Sequence, residues 1–227
     1  MTVKVVKSSA CDEDVVRAAR VSTLGENDPA DSAENRNTGL IKFLVRDRHG
    51  SPLEHTSVTF YIETTIFVWR EFMRHRIASY NEESGRYKTL RPIFYVPARD
   101  RNLVQQGKPG AYTFVPGDDE QWELVDALTR RESASAYAAY IEMLDAGIAR
   151  EVARIVLPVN IYSSAYVTMN IRALTNFLSL RTKREGSTFP SFPQREIEMV
   201  AEQMELFFAE AMPVTYTAWN ENGRVPL

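Results

Sequence analysis

The hydrophobic and polar positions along the chain follow two different periods, and the change between them predicts where a strand gives way to a helix. Val58, Phe60 and Ile62 alternate with polar residues, which is the two-residue period of a half-buried strand over 56–65. From Ile66 onward the apolar residues recur with helical spacing. The apolar face of that helix comprises Phe67, Val68, Phe72 and Met73. The pattern therefore predicts a strand followed at once by a helix, which carries arginines to its own end.

The same two periods predict the remaining elements. Strands are expected at 3–6 and 162–168, with a weaker one at 93–95. Helices are expected at 12–23, from the cap Asn37-Thr38 to the break at 49–52, from about 118 with an interruption at 133–135, and at 151–158, 170–181 and 194–212. Residues 24–37 and 91–118 are expected to be loops. Strands and longer helices without regular βαβ alternation predict an α+β fold, and no domain boundary is visible.

Composition narrows the class of protein. The 227 residues, 44% of them hydrophobic and 25% charged, suit one globular domain. A net charge of −3 argues against a dedicated nucleic-acid-binding protein, which usually has a basic excess. The single cysteine excludes a disulfide framework within the chain and favours a reducing compartment. The sequence shows neither a leader-like N-terminus nor an apolar run long enough to span a membrane, so we expect a soluble cytoplasmic protein.

Several familiar chemistries have no motif in the sequence. Neither G-x-G-x-x-G nor a P-loop is present, and no CxxC or HExxH pattern accompanies the three histidines, so no metal site is expected. His49 and His55 flank a Ser-Pro pair, and a hydrogen-bonded structural role is the commoner outcome for such histidines than metal ligation. Cys11 is followed by acidic residues, which raise the pKa of a thiol, so we expect a structural cysteine.

The charged and polar residues are concentrated in 74–87, with the sequence RHRIASYNEESGRY. Such a segment cannot be a core, because buried charges must be paired or cost several kcal/mol each, as a rough magnitude. Its cations are all arginines, whose planar fork suits bidentate contacts to phosphate, and Ser84-Gly85 permits close approach of the backbone to a ligand. These residues indicate a site for a phosphorylated small molecule. A salt-bridge cluster that ties a helix to a loop is the structural alternative.

The order of the residues in 74–87 resembles the signature of a known protein family. R-H-R-x-x-S-x-N-E-x-S-x-R-Y resembles the signature of the flavin-dependent thymidylate synthases. The likeness continues through H-G-S-P-L-E-H at 49–55, E-V-A-R-I-V-L-P at 151–158 and N-x-R-x-x-x-N-F-L-x-L-R at 170–181. It thus covers nearly the whole chain, and the protein is similar to this family.

The resemblance implies a fold, an assembly and a reaction. The fold is a single domain over residues 1–227 of the thymidylate synthase-complementing type, with a central mixed or antiparallel sheet flanked by long helices. The assembly is a homotetramer with active sites at subunit interfaces. The reaction converts dUMP to dTMP with 5,10-methylenetetrahydrofolate, NADPH and bound FAD. Reduced flavin replaces the cysteine nucleophile of the folate-only synthases, and the protein binds, orients and polarises.

The resemblance also implies residue roles. Arg181 is the expected catalytic residue, a fixed cation that would favour the ionised N3 form of the uracil ring. The expected dUMP-binding residues are Glu71, Arg74, Glu82, Glu83, Ser84, Gly85, Arg86, Arg154 and Arg181. The expected FAD-binding residues are His49, Ser51, Arg74, His75, Arg76, Glu82, Asn170, Arg172 and Asn176.

Two positions depart from the family pattern. Glu71 stands where relatives usually have Gln, and a carboxylate there would repel phosphate unless an arginine neutralises it. Residues 182–193 replace a shorter loop and are expected to affect folate access or closure. The other functions to be tested are a different flavin- or folate-dependent nucleotide methyltransferase, and a nucleotide- or RNA-binding regulator without turnover.

Overall fold

The computed structural model describes residues 1–25, 34–108 and 111–227, which form an α+β fold as expected. These residues group into two compact units. The first unit comprises Met1–Thr64, Val68–Glu82 and Ser164–Leu227, and the second comprises Thr65–Phe67 and Glu83–Ser163. The expectation of a single domain over residues 1–227 stays a prediction. Within the described ranges, no helix is long and apolar enough to cross a membrane.

The secondary-structure elements follow one another in a mixed order. The strands are β1 (Thr2–Ser8), β2 (Ser57–Thr65), β3 (Ser79–Glu82), β4 (Val104–Lys108), β5 (Ala111–Val115) and β6 (Tyr162–Asn170). The α-helices are α1 (Asp12–Leu24), α2 (Glu34–Arg46), α3 (Ile66–Phe72), α4 (Asp119–Asp145), α5 (Arg150–Ala153), α6 (Ile171–Arg181), α7 (Arg195–Ala211) and α8 (Pro213–Glu221). Short 3₁₀ turns occupy Ser51–His55 and Arg154–Val156.

The larger sheet has the strand order β1-β2-β6-β3, with antiparallel pairing of β1 with β2 and of β3 with β6. Val58, Phe60 and Ile62 are at most 1% exposed, which confirms the alternation in β2. On the other face, the hydroxyls of Thr59 and Thr168 lie 2.8 Å apart. The sheet therefore has one apolar face that needs a covering layer.

Helices α6, α7 and α8 supply apolar surface to the first unit. The helix expected at 194–212 is confirmed as α7, and its apolar stripe of Ile197, Val200, Met204 and Phe208 is fully buried, whereas Phe207 and Ala211 on the same side are only partly buried. The Phe208 ring packs against Trp219 of α8 with centroids 6.0 Å apart. These contacts fix the C-terminal part of the chain around α6, the helix that ends in the candidate catalytic arginine.

The second unit is built around α4. Asp118 caps this helix in a reciprocal capping box with Gln121, which explains why the helix begins close to the expected position 118. Tyr140 is fully buried, and its hydroxyl accepts a hydrogen bond from the Leu90 amide at 3.2 Å. The Tyr137 hydroxyl donates to the Leu90 carbonyl at 2.9 Å. The segment after the signature is thereby fastened to α4.

The start of α2 differs from the prediction. This helix already includes Glu34, so Asn37-Thr38 is not its cap. The side chain of Asn37 accepts a hydrogen bond from Arg20 of α1 at 2.8 Å, and a tertiary contact thus takes the place of capping. Residues 26–33, which make up most of the loop expected at 24–37, lie outside the described ranges.

The break expected in α4 and the strand expected at 93–95 both differ from the prediction. The interruption expected at 133–135 is absent, because the buried Ser133 hydroxyl accepts from Asn160 at 3.0 Å without disturbing the helix. The expected strand at 93–95 is reduced to one bridge between Phe94 and Ile161.

Other elements went unpredicted. Residues 79–82 of the signature form strand β3, which was not expected, because their backbone pairs with the distant strand β6. Within 91–118, β4 and β5 pair as a hairpin on either side of residues 109–110. Helix α8 follows α7 immediately, and its proline occupies the first turn, where the missing N–H costs nothing.

Candidate active site

Arg181 lies in the last turn of α6 and is held at two points in the first unit. Its Nε donates to Nε2 of His75 at 3.0 Å, and its Nη1 donates to Oε2 of Glu71 at 3.0 Å. The arginine side chain is 20% exposed, so part of the cation remains accessible to a ligand. The carboxylate of Glu71 is therefore neutralised by an arginine. This is the condition stated above under which a carboxylate at position 71 does not repel phosphate.

The imidazole of His75 is neutral in this setting. Because Nε2 accepts a hydrogen bond from Arg181, the ring proton is on Nδ1. Burial and, to a smaller extent, the Arg181 charge together lower the pKa of His75 to about 4. The ring packs edge-on against Phe177 of α6, with centroids 4.8 Å apart. Arg181 therefore donates to an uncharged imidazole near neutral pH, and the two side chains do not repel each other.

Tyr80 fixes the backbone that carries His75. Its hydroxyl donates to the carbonyl oxygens of His75 at 2.7 Å and Phe72 at 3.2 Å. Burial raises the pKa of Tyr80 to about 12, so the phenol stays protonated and remains a donor. The sequence placed Tyr80 inside the signature without a role, and the structure gives it one, which is to hold the turn after α3.

The His75 imidazole predicts a specific acid sensitivity. In the unfolded chain it gains a proton below about pH 6.5, whereas the folded chain resists protonation until about pH 4. The unfolded state therefore binds more protons in that window, and the stabilisation, complete above pH 6.5, is lost as pH falls toward 4. We expect His75→Gln, which keeps an acceptor without titrating, to show a flatter fall of Tm across this window. Parallel Tm curves for both proteins in thermal unfolding would contradict the assignment.

The arginines on either side of His75 are solvent-exposed. Arg74 and Arg76 follow the end of α3, and across residues 1–25, 34–108 and 111–227 neither forms an ion pair. Both guanidinium groups can therefore meet a ligand phosphate without first breaking a salt bridge. Their predicted roles in binding nucleotide and flavin remain predictions.

A second group of predicted flavin positions converges on Arg172 in the first unit. The guanidinium pairs with Glu54, and its Nε donates to the Leu227 carbonyl oxygen at 2.6 Å. A Cβ built on Gly50 would lie 2.8 Å from Arg172 Nε, so only glycine allows the backbone between His49 and Ser51 to approach so closely.

The remaining flavin positions have local roles as well. The Asn170 side chain caps α6 by accepting from the Ala173 amide at 2.8 Å, and this leaves its NH₂ group as a donor. The His49 ring stacks on Phe43 with centroids 5.5 Å apart. Asn176 lies on α6 and is partly exposed, and Glu82 ends β3.

The predicted phosphate-binding residues of the second unit form their own cluster. Ser84 closes a turn in which its hydroxyl accepts from the Arg86 amide at 3.2 Å. A Cβ on Gly85 would meet Arg154 Cδ at 3.3 Å, so the Arg154 side chain packs directly over this glycine. Arg86 Nε lies 2.9 Å from Oε2 of Glu151, and both side chains are 55% exposed. Two arginines therefore flank an exposed turn.

Carboxylates that pair with these arginines were missed as site residues. Glu151, the first residue of the 151–158 motif, pairs with Arg86. Glu54, the partner of Arg172, belongs to the 49–55 motif, yet only its histidines and serine drew attention. Glu83, by contrast, was among the expected dUMP-binding residues, and the structure pairs it with Lys88 and buries most of its side chain. Glu54 and Glu151 are themselves positions of the motifs at 49–55 and 151–158, which was the available signal.

Comparison with known proteins settles the family. The sequence profile described as thymidylate synthase complementing protein matches residues 4–214. The chain belongs to this family. Among family members named flavin-dependent thymidylate synthase, that of Streptomyces avermitilis is 58% identical over 228 residues, which cover 99% of this chain and 93% of the relative. That of Tropheryma whipplei is 56% identical over 226 residues, which cover 99% and 94%.

Solved structures similar in sequence to this chain have the same fold. A UMP/dUMP methylase from Streptomyces cacaoi bound with 5-Br dUMP has a TM-score of 0.93 and 51% identity, covering 100% of this chain and 97% of that one. The same protein bound with 5-Br UMP has a TM-score of 0.92 and 50% identity, covering 100% and 96%. The resemblance to flavin-dependent thymidylate synthases is confirmed.

Proposed function

We propose that this protein is a flavin-dependent thymidylate synthase that makes dTMP from dUMP. In balanced form, dUMP, 5,10-methylenetetrahydrofolate, NADPH and a proton give dTMP, tetrahydrofolate and NADP⁺. The observation that carries the proposal is Arg181, a partly accessible cation held at 3.0 Å by both His75 and Glu71. This arrangement occurs in a chain 58% identical to a protein of that name.

Arg181 has an electrostatic task in this reaction. The C5 carbon of uracil attacks a one-carbon unit only when the ring is electron-rich, and a fixed cation beside the ring stabilises its ionised N3 form. The hydrogen bonds to His75 and Glu71 hold the guanidinium before substrate arrives, so little reorganisation remains. His75 cannot take the proton through Nε2, because that nitrogen already accepts from Arg181.

The second-unit cluster suits the dUMP phosphate. Arg86 and Arg154 supply guanidinium donors, and the turn at Ser84-Gly85 presents hydroxyl and backbone groups to an anion. Glu151 pairs with Arg86 in the free protein, so phosphate binding replaces a carboxylate by a phosphate at that guanidinium.

The donor chemistry of the first unit fits FAD. The flavin dinucleotide carries two phosphates, and the exposed guanidinium groups of Arg74, Arg76 and Arg172 are suited to anions of this kind. When bound, FAD supplies hydride chemistry that no side chain of this protein provides.

Cys11 is not expected to act as a nucleophile. Burial raises the pKa of its thiol; a hydrogen bond with the Asp14 backbone opposes the rise, whereas the Asp14 and Glu13 carboxylates add to it, so little thiolate exists near neutral pH. We expect Cys11→Ala to retain the kcat of the wild type, measured with saturating dUMP and folate. A variant that keeps its flavin and its Tm but loses turnover would show that the thiol takes part.

The reaction is tested by release of tritium from [5-³H]dUMP. With methylenetetrahydrofolate, NADPH and FAD present, label is expected in water, and omission of the folate or of NADPH should stop its release. Absence of release with the flavoprotein intact would reject the synthase. Purified protein that lacks flavin absorbance, yet binds RNA with a steep salt dependence, would favour the regulator instead.

UMP is a second candidate substrate. It is favoured by the 50% identity and 0.92 TM-score with a UMP/dUMP methylase crystallised with 5-Br UMP. The two substrates differ only at the ribose 2′ position, so the ratio of kcat/KM for dUMP and UMP decides between them.

A homotetramer with shared active sites is part of the proposal. Leu206 on α7 and Ile155 after α5 are 70% and 75% exposed, and large apolar side chains exposed to this extent suit subunit contacts. Light scattering on the purified protein measures the assembly, and a monomer that retains turnover would refute shared sites.

A further inference from the structure

A buried ion pair lies outside the residues assigned to substrate or cofactor. Arg224 and Glu205 are each 4% exposed, and Arg224 Nη1 lies 2.6 Å from Oε1 of Glu205. The guanidinium lies over the Trp219 ring, 4.3 Å from its centroid. Because the desolvation of two charges offsets much of their attraction, stability alone does not account for such a pair.

The backbone at this position is unusual as well. Arg224 has φ +55° and follows Gly223 at φ +71°, so two successive residues adopt the left-handed conformation after α8. A Cβ on Gly223 would lie 2.0 Å from the Thr188 hydroxyl, and only glycine fits there. The turn directs the Arg224 side chain inward, toward the end of α6.

The second arm of Arg224 reaches the residue after Arg181. Its Nη2 donates to the Thr182 hydroxyl at 2.8 Å, and that hydroxyl donates in turn to the Leu178 carbonyl at 2.7 Å. Thr182 is 2% exposed. One hydroxyl therefore joins the last turn of α6 to a buried cation, and this cation is anchored to α7 through Glu205.

The same anchor ties down the segment 182–193. The Ser191 hydroxyl donates to the Thr182 carbonyl at 2.6 Å, and the Thr188 amide donates to the Gly223 carbonyl at 2.9 Å. Arg184 Nη2 lies 2.8 Å from Oε2 of Glu205. Glu205 thus binds one arginine of this segment and one of the C-terminal turn.

We propose that Arg224 is a positioning residue for Arg181, which acts through the Thr182 hydroxyl and is itself held by Glu205. The inference rests on the catalytic role proposed for Arg181. A shift of the last turn of α6 by a fraction of an ångström would alter the bonds from Arg181 to His75 and Glu71. Catalytic groups tolerate little such displacement.

A matched set of variants at Thr182 tests the proposal. Thr182→Val removes the hydroxyl and keeps the shape, Thr182→Ser restores the hydroxyl, and Arg224→Met removes the cation. The control is Thr175→Val, because the equally buried Thr175 hydroxyl also bonds a carbonyl of α6, that of Arg172 at 2.9 Å, without meeting Arg224. If Arg224→Met does not fold, Thr182→Val remains informative.

We expect Thr182→Val and Arg224→Met to lower kcat about tenfold with little change in the KM for dUMP, since misplacement affects the reacting geometry more than ground-state binding. Thr182→Ser should recover kcat, and Thr175→Val should leave it unchanged. Equal kcat values for Thr182→Val and Thr175→Val would overturn the proposal.

A second readout does not depend on turnover. Arg181 helps to depress the pKa of His75, so displacement of the arginine should raise that pKa in Thr182→Val but not in Thr182→Ser or Thr175→Val. NMR titration of the histidine measures it. If the His75 pKa in Thr182→Val is unchanged, the positioning role is contradicted, whether or not the wild type shows turnover. If the wild type shows no turnover but the His75 pKa rises in Thr182→Val, only the proposed function is contradicted.

Discussion

Arg181→Ala is expected to lower kcat for dUMP about a hundredfold or more, which is the typical cost of removing one preorganised electrostatic donor. The flavin should remain bound, because the expected flavin positions of the first unit are other side chains. Tritium release from [5-³H]dUMP and the visible absorbance of the flavin measure the two properties separately.

Two further variants sharpen this expectation. Arg181→Lys keeps a positive charge but cannot bridge His75 and Glu71, so it should recover little activity. Arg17→Ala, which removes an exposed arginine paired with Asp14 on α1, is the control and should behave as wild type. Wild-type kcat in Arg181→Ala would remove the catalytic role.

Arg86→Ala is expected to weaken dUMP binding about tenfold to hundredfold, since a hydrogen bond to a charged group contributes about 1.5–3 kcal/mol. Isothermal titration with dUMP measures the change directly. Glu151→Gln is the informative partner, because it removes the carboxylate that holds Arg86 at 2.9 Å without removing the cation. We expect dUMP affinity in Glu151→Gln to equal or exceed that of the wild type.

The matched control for this experiment is Arg99→Ala. Arg99 belongs to the same unit as Arg86, has the same 55% side-chain exposure, and also pairs with a carboxylate, that of Asp119. Its loss removes equal charge from the protein but no predicted phosphate contact. Equal weakening of dUMP binding in both variants would indicate a general effect of charge and would refute a specific contact.

The local parts of the fold could be read from the sequence. The alternation of Val58, Phe60 and Ile62 and the α7 stripe each depend on a periodicity that neighbouring residues set themselves. The start of α4 was equally accessible, because Asp118 and its capping partner Gln121 are three residues apart.

Elements that depend on distant partners were not accessible in the same way. Strand β3 is polar and short, and it exists because Ser79 to Glu82 pair with β6, whose residues lie more than eighty positions away. The β4–β5 hairpin was hidden by its polar residues, although the Pro-Gly pair between its strands is a turn signal that went unused.

The candidate site shows the same contrast between what neighbouring residues reveal and what only distant contacts decide. The resemblance pointed to Arg181, Glu71 and His75 one at a time. Their spacing in the sequence could not show that Arg181, in the last turn of α6, forms hydrogen bonds to both of the others. The Glu205–Arg224 pair has no motif at all. Only burial reveals it, because charged residues in a sequence are by default expected at the surface.

The ion pair of Arg181 with Glu71 has a consequence for inhibitor design. An inhibitor that displaces the Arg181 guanidinium from Glu71 leaves the Glu71 carboxylate without that hydrogen-bond donor. Such a loss is unfavourable because the carboxylate is partly buried. A carbonyl oxygen that accepts from the guanidinium without displacing it from Glu71 avoids this cost. Heterocycles with such a carbonyl should therefore bind more tightly than analogues with an anionic group that competes with Glu71 for the arginine.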